Sequence, residues 1–359
     1  MKRNLSMLVL TAVLAPLFFT SGSLAAARVG GDLDGDGIVT AADAAIVLRA
    51  ADGAVELDNA LLSLADVSGN LSVSRADAAA ILLYASERLD GFDTLVGYTG
   101  GALLGEKYLD KFSYHGIVCS DDGYHSGNVS ITIRLDVLEN ASVYVADIYL
   151  RDITSFRTAF AGGSYASGRA LTQKISASVS AILAANGDGV PSDKKGPLVR
   201  NGQWIRENTE REWDVCVLYR DGVMETYEKR TVQAAEVAER DPYQSWVFGP
   251  ALLDAAGQAK KDFHCDSDLL QYSARTGIGY YEPGHYCIVV VDATNAGLTM
   301  REFSAYFAAL GCRAAYNLPG GDSSVLAMGN KTLNEPHGGG RTTADIFYIV
   351  EPQPLGIAG

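Results

Sequence analysis

Asp32-Leu-Asp34-Gly-Asp36-Gly37-Ile38-Val-Thr40-Ala-Ala-Asp43 sets oxygen-bearing side chains at places 1, 3, 5, 9 and 12 of a short loop. A hard cation such as calcium takes six to eight oxygen ligands, and that spacing supplies them. Place 7 adds the backbone carbonyl of Ile38. Gly37 stands at place 6, where the chain must turn with positive φ and glycine does so without a Cβ clash. Ile46, Val47 and Leu48 follow in helical phase, so the unit is a loop running into a helix.

One helix-loop unit later the pattern returns as Asp66-Val-Ser68-Gly-Asn70-Leu71-Ser72-Val-Ser74-Arg-Ala-Asp77, followed by Ile81, Leu82 and Tyr84. Its ligand set would be Asp66, Ser68, Asn70, the Ser72 carbonyl, Ser74 and Asp77. Only two of these are charged, and Leu71 replaces the turn glycine, at about 1 kcal/mol or more for a side chain at positive φ. The second loop is expected to bind calcium more weakly than the first.

Each loop closes on Asp at place 12, and neither has the bidentate Glu and preceding helix of a sensor EF-hand. The duplicated loop-helix unit resembles type I dockerins. The resemblance implies a small all-α module over 28–89 that docks on a cohesin module of a scaffold protein, as in a cellulosome. Ala41-Ala42 and Arg75-Ala76, just before the two closing aspartates, stand where that family chooses its cohesin.

Upstream, Lys2 and Arg3 precede an apolar run and Ala25-Ala26-Ala27, the pattern of an export leader over 1–27. The apolar run is shorter than the roughly 20 residues a membrane span requires. A secreted chain with no stable membrane span is expected. The net charge of -14 argues against nucleic acid as a partner, because no basic stripe can replace phosphate counterions. Five cysteines match no zinc spacing and leave one unpaired at least, so thiols are expected rather than a disulfide framework.

Downstream, a Gly-rich stretch over 90–104 reads as a linker, and 105–359 as a second domain. Strand-like alternation at 131–135 and 143–150, a hairpin around Asp221-Gly222, an apolar strand at 287–292, a helix at 299–310 and a closing strand at 345–351 interleave irregularly. A further helix is expected over 174–185. Such a mixture predicts an α+β domain with a mixed sheet, and a multidomain chain overall.

The polar residues of this part sit in glycine-rich breaks between the elements, where a rigid scaffold places chemistry. In order they are Ala184-Ala-Asn186-Gly-Asp188, Arg200-Asn-Gly202, Trp246-Val-Phe-Gly-Pro250, Arg275-Thr-Gly-Ile-Gly279, Val289-Val-Val-Asp292, Tyr316-Asn317-Leu318, Gly320-Gly321 with Ser323-Ser324, and Gly339-Gly-Arg341 before Asp345. The series resembles the phosphodiester glycosidase family. The resemblance implies hydrolysis of a sugar-1-phosphodiester or a related glycan linkage. Relatives commonly read Asn-Leu-Asp-Gly-Gly where this chain has Pro319, so one acid is missing and Asp322 is a candidate to stand in.

Arg275, Arg341 and Arg200 are candidates for the phosphate, because a planar guanidinium binds its oxygens bidentately. Asp188 leads the catalytic carboxylates, with Asp322 and Asp345 behind it, and His337 is the acid–base candidate among the histidines. Asn186, Asn317, Gly320, Gly321, Ser323 and Ser324 are candidates to hold sugar hydroxyls or phosphate. The alternative is a non-catalytic carbohydrate-binding or structural module that keeps the fold without the acid at 319.

Overall fold

The structure, a computed structural model, describes residues 30–67, 73, 75–88, 92, 104, 106–113, 117–189, 195–207, 213–229, 231–232, 234–292 and 296–352. The expected leader lies outside these residues, as does the 90–104 linker apart from Phe92 and Leu104.

The N-terminal unit is helical: α1 (Ala41–Ala51), α2 (Asn59–Ala65) and α3 (Arg75–Ala85). Thr40 caps α1 in a reciprocal box with Asp43, so the last loop residues also start the helix. Leu33, Val47, Leu64 and Ile81 join from the loop and all three helices into a small core. No helix among the described residues is long and apolar enough to cross a membrane.

The rest is rich in strands: β1 (Val118–Ser120), β2 (Gly123–His125), β3 (Val129–Val137), β4 (Ser142–Leu150), β5 (Phe156–Phe160), then α4 (Thr172–Ser178), β6 (Leu183–Asn186), β7 (Leu198–Arg200), β8 (Gln203–Arg206), β9 (Val215–Tyr219) and β10 (Met224–Tyr227). After these come α5 (Ala234–Glu239), β11 (Pro242–Trp246), β12 (Arg275–Glu282), β13 (His285–Asp292), α6 (Met300–Ala309), β14 (Ala314–Leu318), β15 (Leu326–Met328), β16 (Lys331–Thr332) and β17 (Asp345–Ile349). A seven-stranded sheet runs β1-β2-β3-β4-β13-β12-β14, and a five-stranded one β16-β15-β6-β17-β5.

The apolar run at 287–291 has a simple cause. Ile288 and Val290 point into the main core with Trp246, Phe156 and Phe347. Cys287, Val289 and Val291 point the other way, under Met300, Phe303 and Phe307 of α6. A strand covered on both faces has no polar side to alternate with. The glycines of Arg-Thr-Gly-Ile-Gly serve the same layer. A Cβ at Gly277 would stand 2.8 Å from the Phe303 ring, and one at Gly279 within 2.7 Å of both the Cys287 and Cys312 sulfurs.

The helix expected over 174–185 is split. α4 stops at Ser178, and Ser180 takes a left-handed φ of 52°. Residues 183–186 instead form a strand that pairs with β15 on one side and β17 on the other. A short apolar run suits a buried strand as well as a helix, and here two flanking strands decide it. The hairpin at Asp221-Gly222 forms as β9 and β10.

Candidate active site

The strand registers bring the polar breaks to one end of the sheets. Asn186, closing β6, pairs with Ile346 of β17, so Asp345 starts beside it. Thr276 pairs with Leu318, and Arg275 with Val291, so the start of β12 meets the ends of β14 and β13.

Beneath this end lies a sealed ion network. Arg200, only 4% exposed, donates through Nη2 to Asp188 Oδ1 at 2.9 Å and to Asp345 Oδ2 at 3.0 Å. Asp188 Oδ2 accepts the Val247 N–H at 3.0 Å, and Asp345 Oδ1 accepts the Gly189 N–H at 2.9 Å. Gly187 is required by closeness, since a Cβ there would lie 2.5 Å from the Asp345 carboxyl carbon. Asp188, expected as the foremost catalytic carboxylate, is therefore enclosed by protein, and Arg200 is the hub of the network. Asp345 pairs with Arg200 and not with the nearby Arg341.

One guanidinium neutralises one of the two carboxylates, so the other favours a proton. Burial, then the Asp188 charge, pushes the Asp345 carboxyl up from 3.8 to about 7. Between those values the unfolded chain releases a proton that the folded chain keeps, so stability should fall as pH rises through the window. Denaturant titrations at several pH values check this, and Asp345→Asn should flatten the slope.

A second network holds the 319–324 loop. Asn186 accepts from Thr276 Oγ1 at 2.8 Å and donates to the Pro319 carbonyl at 2.9 Å. Asn334 donates to Asp292 Oδ1 at 2.6 Å and to the Ser324 carbonyl at 2.8 Å. Gly320 lies against the chain just before Arg275, with room for no Cβ beside the Ala274 carbonyl. The Gly321 N–H donates to that same carbonyl. Ser323 and Ser324 are buried in this loop, and Ser324 Oγ and Asn317 Oδ1 have no hydrogen-bond partner among the described residues. Asn317 Nδ2 donates to the Gly249 carbonyl at 2.8 Å.

Arg275 differs from Arg200 in its surroundings. It is 2% exposed, and its donors reach backbone carbonyls: Nε to Leu298 at 3.0 Å and Nη2 to Gln271. Among the described residues no carboxylate pairs with it. Burial pulls its pKa down to about 10, against the opposing effect of the Cys265 thiol.

Asp322, Arg341 and His337 form an outer group, with Arg341 3.2 Å and His337 Nδ1 3.4 Å from the Asp322 carboxylate. His337 is 90% exposed at its side chain, and pairs this open contribute about 0–1 kcal/mol.

Sequence reasoning missed one cluster. Asp214, wholly buried before β9, accepts the Lys229 N–H at 3.0 Å and the Ala251 N–H at 3.1 Å. His264 Nδ1 lies 3.2 Å from Oδ1, and Lys260 Nζ 3.5 Å from Oδ2. Its one trace in the sequence is an acid set directly against the apolar run 215–219.

In the N-terminal loop, one carboxylate oxygen from each of Asp32, Asp34 and Asp36 lies within 4.8 Å of the others. Asp32 accepts the Gly35 and Gly37 N–H groups, which curls the loop, and Gly37 has φ 85°. Asp43 accepts from Leu33, Asp34 and Thr40. Burial opposes its charge, yet these donors hold its carboxyl below the usual value. The donor set fits a hard oxygen-loving cation. Of the second loop's expected ligands, Asp66 and Asp77 are described and buried, while Ser68, Asn70, Ser72 and Ser74 lie outside the described residues. Calcium at 100 times its Kd should raise the stability of this unit by about 2.7 kcal/mol. Thermal melts followed by circular dichroism, with calcium and with chelator, check this, and Asp36→Ala should remove most of the difference.

The site so built belongs to a strand-rich α+β domain that follows a calcium-type helical module. Residues 30–84 match the family model of the dockerin type I domain, and residues 179–350 that of the phosphodiester glycosidase. The chain thus carries a stretch that matches the type I dockerin model, followed by one that matches the phosphodiester glycosidase model. Type I dockerins generally bind calcium and bind cohesins.

Among curated proteins the chain is similar to the SPbeta prophage-derived uncharacterized protein YomE of Bacillus subtilis (strain 168), 29% identical over 180 residues. That match takes in 48% of this chain and 28% of the relative's length. Among solved structures, the auto-inhibited catalytic domain of zebrafish N-acetylglucosamine-1-phosphodiester alpha-N-acetylglucosaminidase aligns with a TM-score of 0.52 at 16% identity. The alignment covers 71% of this chain and 97% of that one, and shows a shared fold. A hypothetical protein from Synechocystis aligns over 62% of each chain at 14% identity, with a TM-score of 0.41.

Proposed function

We propose that this chain is an exported hydrolase that cleaves the bond between a sugar's anomeric carbon and a phosphodiester, held on a cohesin-bearing scaffold by its calcium-loaded dockerin. The carrying observation is Arg275, a buried guanidinium with carbonyl partners and no paired acid among the described residues. A charge left uncompensated in protein is costly unless a ligand completes it. A phosphodiester anion does so with the geometry a guanidinium fork prefers.

A phosphate leaves well once its charge is neutralised, so Arg275 supplies the main electrostatic need of the bond cleavage. Asn317, Ser323 and Ser324, with Gly320 and Gly321 keeping the loop close, serve the sugar or phosphate oxygens. Asp188, Arg200 and Asp345 position the Asn186 strand end from beneath. Asp322, Arg341 and His337 form the outer rim, where Asp322 takes the place of the acid absent at 319. The first dockerin loop holds calcium more tightly than the second.

Incubating the full chain with sugar-1-phosphodiesters, N-acetylglucosamine-1-phosphodiesters among them, should release free sugar. Absence of release across the panel, with retained glycan binding, would favour the second reading, a binding module without turnover. Pro319 is the residue that favours that alternative. In that case Pro319→Asp should bring hydrolysis into view.

A further inference from the structure

Resting on the hydrolase function proposed for the same site, we propose that His264, held by the buried carboxylate of Asp214, is the proton-transfer group of the reaction. A carboxylate only accepts, so the 3.2 Å contact requires the proton on His264 Nδ1 and leaves the lone pair of a neutral ring on Nε2. Nε2 has no hydrogen bond among the described residues, and the His264 side chain is 48% exposed. A sealed acid fixing the tautomer of an open imidazole is the arrangement that makes histidine a directed base.

Asp214 is tied to the site through its backbone. Tyr316 Oη donates to its carbonyl at 2.7 Å, one residue before Asn317. Gly249, whose carbonyl accepts from Asn317, packs on the Asp214 backbone. Cys265, next to His264, lies within electrostatic reach of both Asp214 and Arg275. The dyad and the unpaired guanidinium thus border one stretch of chain.

The other described histidines are placed differently. His285 also faces a carboxylate, its Nε2 2.7 Å from the half-buried Asp147 Oδ1. Its ring, however, is stacked between Tyr149 and Tyr281, with centroids 4.1 Å away on each side, and its side chain is only 16% exposed. His337 leans on an exposed acid, and His125 bonds to Ser130.

In the step, a water oxygen bonds to the anomeric carbon and its proton passes to His264 Nε2. The bond from that carbon to the phosphate oxygen breaks, and its electron pair stays on the phosphate. A phosphodiester monoanion becomes a phosphate monoester dianion and a free sugar, and the imidazolium returns its proton to solvent. Among the described residues, Asp214 faces the ring, Lys260 lies against Asp214 with Glu228 behind it, and the neighbouring Cys265 is within electrostatic reach of Asp266, Arg275 and Asp214.

The test uses the full chain and the N-acetylglucosamine-1-phosphodiester of the panel. His264→Ala should lower kcat about 10²- to 10³-fold with KM nearly unchanged. Added imidazole should restore part of the rate, and the acid limb of the pH–rate profile should disappear. Asp214→Asn, which favours the other tautomer, should also lower kcat without imidazole rescue. Unchanged kcat in His264→Ala, or a loss that imidazole does not repair while the acid limb stays, would overturn the assignment and leave the hydrolase function standing. A wild-type chain that releases no sugar overturns both.

Discussion

Replacing Arg200 with methionine should cost the large domain about 3–5 kcal/mol at pH 8, a large part of a typical folding stability of about 5–15 kcal/mol. The arginine is the only cation salt-bridged to Asp188 and Asp345 among the described residues, and neither carboxylate has more than a trace of exposed side chain. Without it two acids face each other in protein, and at least one must take up a proton. The loss should therefore shrink at pH 5, where protonation is easier. Converting both acids to asparagine in the same chain should recover much of it. Denaturant midpoints at the two pH values measure all of this. A cost below about 1 kcal/mol at pH 8 would mean that the network is not closed as described.

Arg275→Met should leave stability nearly unchanged and act strongly on activity. Removing a buried charge with no paired acid relieves a desolvation cost, at the loss of two carbonyl hydrogen bonds, so the folding change should be small. Sugar release should fall about 10²- to 10³-fold, as on losing a charge-stabilising donor from an active site. Arg275→Lys keeps the charge but not the fork, and should recover only part. The measurement is kcat/KM beside a thermal melt of each variant. A variant that unfolds while keeping its residual specific activity would make Arg275 a structural residue.

Much of this molecule was open to reading from the residues. The Asp32–Asp43 loop carries its ligand spacing and its turn glycine in one local stretch, and the structure places both there. The strand at 143–150 follows its alternation, the one at 287–292 its unbroken apolar run, and the helix after Thr299 its cap. The 183–186 strand was hidden because so short a stretch, three apolar residues and Asn186, has no period of its own, and β15 and β17 decide its state.

For the site, the glycine-rich breaks marked the right end of the sheets but not the pairing within it. Arg200 stood third among the arginines in sequence, yet three-dimensional closure joins it to acids 12 and 145 residues away. Asp214 and His264 are 50 residues apart with no shared motif, so only the fold brings them together.

The most direct test of the central claim is the fate of oxygen-18 when the full chain hydrolyses a sugar-1-phosphodiester in labelled water. Cleavage at the anomeric carbon predicts the label in the released sugar and none in the phosphate monoester. Label in the phosphate would mean attack at phosphorus, and the glycosidase account would be wrong.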